Sequence, residues 1–235
     1  MPHAYPILLD LTHRRVVIVG GGTVAARKAA GLVEAGADDV TAVALRFDDD
    51  FPPAVRRIEA PYSPGSLDGA SLVFAATDSA AVNAQVVGDA RARNVFVCRA
   101  DADDDTPGDF VTPAKAGDGN LLVAVSAGSA ALSARMRDAI AAGLDPRWAQ
   151  MSAAMTALRP WVRGQNLPQP RRAAIFRALA SDRALDVLAK GGAAALREWV
   201  MAAHPELKAN PETPSDACDA GRDRPQQSIV QAGHD

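Results

Sequence analysis

A glycine triplet at the end of a short apolar run is the feature that most limits what this chain can fold into. The run Arg15-Val16-Val17-Ile18-Val19 leads directly into Gly20-Gly21-Gly22, which predicts a strand buried on both faces and then a tight turn. Residues 23–35 are good helix formers, and Gly36 stands where a C-terminal cap belongs. Free N–H groups at the start of such a helix can face an anion.

The alternation of strands and helices continues after this unit. Strand, helix and strand within about 30 residues form a βαβ unit with a right-handed crossover. The sequence therefore predicts an open, mostly parallel α/β sheet with helices on both faces. The predicted strands lie at 40–45, 72–76, 95–98 and 121–125, and the predicted helices at 80–93, opened by Thr77 or Asp78, and from about 130 to 144.

The pattern changes after Pro146. Between residues 147 and 204 apolar residues recur at helical spacing and no strand-like run occurs, which predicts a small all-helical domain with a loop at 164–170. From about residue 208 the sequence is rich in Pro, Asp, Gln and Gly. Such a segment buries too little apolar surface to offset its ordering entropy, so we expect a disordered tail.

Composition argues against several classes of function. The net charge of −3 provides no general attraction for nucleic acid or anionic lipid. No apolar run approaches the roughly 18 residues that span a bilayer, and the first residues do not resemble a secretion signal, so we expect a cytoplasmic protein. The four histidines are scattered, and Cys98 and Cys218 lie in contrasting contexts. We therefore expect neither a metal site nor a disulfide.

The segment Gly20-Gly21-Gly22-Thr23-Val24-Ala25 fits the G-x-G-x-x-G/A pattern of dinucleotide-binding Rossmann-type domains. The first glycine permits the turn, the second lets a pyrophosphate approach the backbone, and the small Ala25 lets helix and strand pack closely. The alternative is a glycine turn in a flavodoxin-like or regulatory domain.

The ribose partner is not evident. NAD-binding sites commonly carry an acid about 20 residues after the glycines, at the end of the second strand. Here that end is Leu45-Arg46. Arg46 could face the 2′-phosphate of NADP or be a solvated arginine, and the acidic run Asp48-Asp49-Asp50 is interpreted as a solvated loop. NAD and NADP both remain open from these residues.

A second motif follows the strand predicted at 95–98. Ligands bind at the carboxyl ends of parallel strands, and an acid there is well placed to act as a general base. Asp101 stands at this edge, and continued strand geometry would project it to the same side as Arg99. The alternatives are an acidic surface loop or a cation site.

Several further segments carry a family resemblance. The chain resembles the precorrin-2 dehydrogenase family, which occurs as a separate enzyme, as a bifunctional dehydrogenase and ferrochelatase, and as the N-terminal module of siroheme synthase. The resemblance runs from about residue 5 to about 188. Its segments are Tyr5-Pro6-Ile7, residues 19–28, residues 32–37, Ala75-Ala76-Thr77-Asp78, Asp109-Phe110-Val111-Thr112-Pro113, residues 123–129 and residues 171–185.

The resemblance implies a catalytic aspartate. The family pattern V-N-V-x-D matches Val97-Cys98-Arg99-Ala100-Asp101 and places the role on Asp101. This chain is two residues longer than the pattern before Asp109-Phe110, so Asp103 is a competing candidate.

The resemblance also implies the activity: NAD-dependent oxidation of precorrin-2 to sirohydrochlorin, with insertion of Fe²⁺ left open. It implies a homodimer, and a domain order of 1–113 (NAD-binding, Rossmann-type), 114–146 (dimerisation segment), 147–206 (helical domain) and 207–235 (disordered tail). The substrate bears eight carboxylates, for which the candidate partners are Arg99, Lys115, Arg135 and Arg137. The residues expected to bind the cofactor are Gly20, Gly21, Gly22, Thr23, Val24, Leu45, Arg46 and Thr77.

Two other functions are compatible with the glycine motif. A non-catalytic nucleotide-sensing module would have the glycine turn but no need of a base beside the nicotinamide. A reductase for another small substrate would share both features. The acid at 101 and the helical domain argue against the sensing module.

Overall fold

The computed structural model describes residues 5–101 and 107–208. The chain divides into two compact units. The first comprises Met1–Ala114 and Val125–Ala134, and the second comprises Lys115–Ala124 and Arg135–Asp235. The four-part division expected from the sequence stays a prediction.

The first unit contains a five-stranded sheet in the order β3-β2-β1-β4-β5, and every strand pair is parallel. The chain runs from β1 toward one edge of the sheet and from β4 toward the other, so the order reverses between these two strands. Ligands of such sheets bind outside the carboxyl ends at this reversal. The elements are β1 (Arg15–Val19), α1 (Thr23–Glu34), β2 (Asp39–Ala44), β3 (Arg56–Glu59), β4 (Leu72–Ala75), α2 (Ala80–Ala92) and β5 (Phe96–Arg99).

The two faces of the sheet are covered by different helices. Val16 and Ile18 of β1 pack in one buried cluster with α1. Val17 and Val19 point to the opposite face and pack in a second cluster with α2. Alternate burial on both faces explains why β1 reads as a continuous apolar run. The Rossmann-type sheet expected from the sequence is confirmed.

Helix α1 ends at the glycine predicted to cap it. Gly36 has φ +82°, and its N–H donates to the carbonyl of Val33 at 3.0 Å. The N–H of Ala37 donates to the carbonyl of Leu32, also at 3.0 Å. This pair of bonds is a Schellman motif, which satisfies carbonyls that the helix end leaves without partners.

Two details of the first unit differ from the sequence prediction. The edge strand β3 was missed because its sequence, Arg56-Arg57-Ile58-Glu59, is polar and largely exposed. Helix α2 is capped by Ser79, whose Oγ accepts from the N–H of Val82 at 3.4 Å. The expected caps Thr77 and Asp78 are wrong, since both precede the cap residue.

The last predicted strand also has a different partner. Residues of β7 (Leu121–Val125) pair with β6 (Ala114–Asp118) in a separate two-stranded sheet rather than extending the parallel one. The strands are joined by the two residues Gly119 and Asn120, a connection short enough only for an antiparallel hairpin. Strand β6 was missed because residues 114–118 lack an apolar run.

The helices that follow are α3 (Ala130–Gly143), α4 (Arg147–Gly164), α5 (Gln169–Leu179) and α6 (Asp182–Ala203). The last three share a buried cluster that includes Met151, Ile175 and Leu196, so the all-helical character expected after Pro146 is confirmed. Helix α6 is interrupted at Gly192, where φ is +67° and ψ −164°. Over residues 5–101 and 107–208, no helix is long and apolar enough to cross a membrane.

The Schellman cap generates a stability prediction. Gly36→Ala should lower the free energy of unfolding by roughly 1 to 2 kcal/mol, because an L side chain is strained at this positive φ. Gly31→Ala is the matched control: a Cβ at Gly31, inside α1, meets nothing within 4 Å, so alanine should stabilise by roughly 0.5 to 1 kcal/mol. Urea unfolding of both variants measures the difference, and equal midpoints would contradict the role of Gly36.

Candidate functional site

The glycine turn packs directly against the loops that follow β2 and β4. Gly20 has φ +137°, and a Cβ placed on it would lie 2.3 Å from the carbonyl oxygen of Ala76. A Cβ on Gly21 would lie 2.0 Å from the carbonyl oxygen of Arg46. Both contacts are far shorter than van der Waals distance, so these two positions have no room for a side chain.

Gly22 faces open space instead. It is exposed, and a Cβ there would meet nothing within 4 Å. It is the N-cap of α1, with no side-chain cap among the described residues and no acid in the first turn. The first N–H groups of the helix therefore keep their partial positive charge without a side-chain acceptor. Beside them, Thr23 and Val24 are exposed. This arrangement fits a cofactor pyrophosphate.

The loop after β2 is tied to the glycine turn by Asp48. Its N–H donates to the carbonyl of Gly21 at 2.8 Å, and its Oδ2 accepts from Thr23 Oγ1 at 2.9 Å. Asp48, Asp49 and Asp50 are all exposed, as a solvated loop requires, but Asp48 also bonds to the glycine turn, which the sequence did not indicate. Leu45 and Arg46, expected to contact the cofactor, are exposed at the same end of β2.

The loop after β4 is held by an asparagine that sequence reasoning missed. Asn83 of α2 is fully buried, and its Oδ1 accepts from the N–H of Thr77 at 3.0 Å and from Thr77 Oγ1 at 2.7 Å. Its Nδ2 donates to the carbonyl of Thr77 at 3.0 Å. These bonds explain why Thr77 does not cap α2. The sequence did contain a signal for this role, because Asn83 is a polar residue on the apolar face of α2, three residues before Val86.

Asp101 lies at the carboxyl end of β5, as predicted, and is paired with Arg99. Arg99 Nε donates to Oδ1 at 2.5 Å and Nη2 donates to Oδ2 at 2.9 Å. Asn83 Nδ2 donates to the same Oδ2 at 2.9 Å. The side chain of Arg99 is only 2% exposed, whereas that of Asp101 is 24% exposed. The carboxylate is thus accessible while its partners lie beneath it.

These bonds determine the electrostatics of Asp101. The hydrogen bonds from Arg99 are the largest effect and hold the pKa of Asp101 below its usual value; burial opposes them, and the bond from Asn83 adds a smaller lowering effect. The group is a carboxylate at neutral pH. Arg99 also donates to the carbonyl of Ala80 at 3.2 Å. Its burial and its bonds fit an arginine that orients Asp101 better than one that faces a substrate.

The segment that begins at Pro107, after Asp101, lies alongside β5. The N–H of Asp109 donates to the carbonyl of Val97 at 2.7 Å, and Asp109 Oδ2 accepts from the N–H of Val97 at 3.1 Å. The ring of Phe110 packs edge-on against Phe74, with centroids 5.5 Å apart. Further along, Thr112 Oγ1 accepts from Lys28 Nζ of α1. This segment therefore closes the outer edge of the sheet beside Asp101.

The remaining candidates belong to the second unit or fall outside the described residues. Asp103 falls outside the described residues. Lys115, Arg135 and Arg137 belong to the second unit, where Arg137 pairs with Asp138 at 2.6 Å. Their role toward a substrate stays a prediction. In the described ranges, no group of three or more His, Cys, Asp or Glu side chains is placed to hold a metal ion.

Comparison with known proteins agrees with this geometry. A family model described as "Putative NAD(P)-binding" matches residues 7–114, which confirms the NAD-binding domain expected from the glycine motif. The chain is 37% identical to the siroheme synthase of Chromobacterium violaceum over 150 residues, 59% of this chain and 31% of that protein. It is 34% identical to that of Edwardsiella ictaluri over 207 residues, 84% of this chain and 44% of that protein.

The chain thus spans less than half the length of these two relatives. A solved structure, "SirC, precorrin-2 dehydrogenase", superposes with a TM-score of 0.66 over 85% of this chain and the whole of that one, at 21% identity. This likeness shows that the two proteins share a fold.

The open N-terminus of α1 generates a binding prediction. Gly22→Asp should abolish NAD⁺ binding, because its carboxylate would take the place of the pyrophosphate at the helix start. The fold should persist, since Asp is a favoured N-cap residue. Isothermal titration with NAD⁺ measures the loss. Gly88→Asp, on exposed and open surface of α2, is the matched control and should bind as the unmodified chain does. Unchanged affinity in Gly22→Asp would remove the glycine turn from the site.

Proposed function

We propose that the chain is a member of the precorrin-2 dehydrogenase family, as its NAD(P)-binding match and its 34% identity to a siroheme synthase indicate, and that it oxidises precorrin-2 to sirohydrochlorin with NAD⁺ as the hydride acceptor. The observation that carries the proposal is the ionised, accessible carboxylate of Asp101. It is held by Arg99 at the end of β5, on the same sheet edge as the open glycine turn. A dehydrogenase needs this combination of nucleotide site and acid, whereas a nucleotide-sensing module does not.

The glycine turn and the start of α1 would hold the cofactor. Gly20 and Gly21 keep the neighbouring loops close, and Gly22 leaves the first N–H groups of α1 open to the pyrophosphate. Bound NAD⁺ supplies the chemistry of accepting a hydride from the substrate. Thr77, on the loop after β4, which pairs with β1, would also contact the cofactor.

Asp101 is the proposed proton acceptor. Dehydrogenation removes one hydride and one proton from the substrate, so that a base must take the proton. Its bond with Arg99 makes Asp101 a weak base. A weak base is sufficient here, because loss of hydride leaves a cationic substrate whose proton is strongly acidic. The carboxylate also stabilises that developing positive charge.

The choice of NAD over NADP is supported by Asp48. Its carboxylate is tied to Thr23 in the first turn of α1, where it places a negative charge beside the nucleotide turn. The 2′-phosphate of NADP would meet this charge, whereas the hydroxyl of NAD can donate to it. Arg46 favours the opposite choice, and Asp48 is the group with a defined bond to the turn.

The proposal also includes substrate binding by residues of the second unit and assembly into a homodimer. Lys115, Arg135 and Arg137 are proposed to bind substrate carboxylates. A homodimer is supported by α3, on which Leu132, Met136 and Ile140 are exposed at intervals of four residues. A second copy of the chain would bury this apolar stripe.

The direct test is incubation of the purified protein with precorrin-2 and NAD⁺, with NADH and sirohydrochlorin followed by absorbance. Stoichiometric appearance of both products is the expected result. A protein that binds NAD⁺ but forms neither product would be a sensing module or a reductase for another substrate. Addition of Fe²⁺ and sirohydrochlorin to the same protein tests for metal insertion separately.

Asp101→Asn should retain NAD⁺ binding and lower kcat by roughly 10² or more, because the amide keeps the size of the side chain but cannot accept the proton. Steady-state kinetics with precorrin-2 measures the loss. Asp103→Asn is the internal control and should keep its turnover. If the Asp103 variant loses activity and the Asp101 variant keeps it, the catalytic role belongs to Asp103.

Asp48→Asn should increase the affinity for NADP⁺ relative to NAD⁺ by roughly ten-fold, because removal of one charge near the 2′-phosphate is worth on the order of 1 kcal/mol. Fluorescence titration with both nucleotides measures the ratio. Asp50→Asn changes the net charge equally in the same exposed loop and should leave the ratio unchanged. Tighter binding of NADP⁺ by the unmodified protein would instead identify Arg46 as the phosphate partner.

A further inference from the structure

We propose that Asn83 is a positioning residue that sets the place of the Asp101 carboxylate relative to the nucleotide loop at Thr77. The inference deepens the proposed function, on which its catalytic consequence rests. It concerns a side chain that is fully buried and so does not reach the open surface of the site.

The buried carboxamide of Asn83 uses both of its polar atoms fully. Oδ1 accepts from the N–H and the Oγ–H of Thr77, at 3.0 and 2.7 Å. Nδ2 donates to the carbonyl of Thr77 at 3.0 Å and to Oδ2 of Asp101 at 2.9 Å. Four bonds to one fully buried side chain fix its position, since each partner left without it would lose a partly buried hydrogen bond.

Asn83 connects the two chain segments beyond the point where backbone hydrogen bonds of the sheet join them. The last backbone bond that joins the ends of β4 and β5 runs from the N–H of Ala100 to the carbonyl of Ala75, at 2.9 Å. Beyond it, Thr77 and Asp101 follow separate loops. The carboxamide bridges these loops, so that the distance between the nucleotide loop and the acid depends on a side chain from α2.

An amide is required because the two partners need opposite groups. The N–H and hydroxyl of Thr77 need an acceptor, whereas the carboxylate of Asp101 needs a donor. An aspartate at this position would keep the acceptor but place a second oxygen against Asp101 Oδ2. That contact is repulsive unless a proton lies between the oxygens. The charged groups that face this contact are Asp101 and, behind it, Arg99 of β5.

Asn83→Asp therefore tests the proposal through its pH profile. We expect kcat to be lowered by roughly ten-fold or more at about pH 8 and to recover toward the unmodified value at about pH 6, as the introduced carboxyl gains a proton and donates to Asp101. Asn83→Ala should lower kcat at every pH without recovery, because it has no donor. Asn94→Asp, on an exposed turn of the same unit, is the matched control and should keep the unmodified profile.

A second measurement does not need the substrate. The carboxyl carbon of Asp101, labelled with ¹³C and assigned by its absence in Asp101→Asn, reports its titration by NMR. Its midpoint should rise in Asn83→Ala, since one donor to the carboxylate is lost, and should rise further in Asn83→Asp. Asn94→Asp should leave it unchanged.

The outcomes separate this proposal from the proposed function. If the unmodified protein does not oxidise precorrin-2, the proposed function fails, and the NMR titration still decides whether Asn83 holds Asp101. An Asp101 midpoint that is the same in all three proteins would overturn the positioning role whatever the turnover. The positioning role would also be overturned if kcat of Asn83→Asp were lowered by the same factor at every pH relative to the unmodified protein. That result would indicate a purely structural residue.

Discussion

The close packing of backbone against backbone at the glycine turn is the constraint on which the candidate site depends. Gly20 and Gly21 bring the turn against the carbonyls of Ala76 and Arg46. A Cβ on Gly20 would lie 2.3 Å from the carbonyl oxygen of Ala76, and a Cβ on Gly21 would lie 2.0 Å from that of Arg46. With these loops in contact, the start of α1, the acid tied to Thr23 and the loop that carries Thr77 all lie along one edge of the sheet. A side chain at either glycine would separate them and dismantle the site without touching any polar group in it.

The features that could be predicted from the sequence are those with local causes. The buried strand β1, the helix α1 and its glycine cap follow from burial, helical spacing and a positive φ, and each is visible within a few residues. Strand β3 has no such signal, because an exposed edge strand need not be apolar. The pairing of β7 with β6 was also inaccessible, since an apolar run predicts a strand but not its partner.

The same distinction holds at the site. The position of Asp101 at the end of β5 follows from strand alternation, and its proximity to Arg99 follows from the two-residue repeat of a strand. The bond from Asn83 does not follow, because it depends on how α2 is rotated against the sheet. The sequence also does not indicate that the Arg99 guanidinium points toward the interior. Arg99 was predicted to contact the substrate, but its side chain is only 2% exposed.

The buried pairing of Arg99 with Asp101 has a consequence for how the proposed substrate would approach. A solitary acid at the mouth of the site would repel an incoming molecule that carries eight carboxylates, and the repulsion would grow as the ionic strength fell. With the guanidinium directly beneath it, the pair is close to electroneutral when seen from solvent. The pair therefore keeps a reactive carboxylate on the surface while most of its own negative charge toward a polyanion is cancelled, and encounter rates are set by the other charges on the protein.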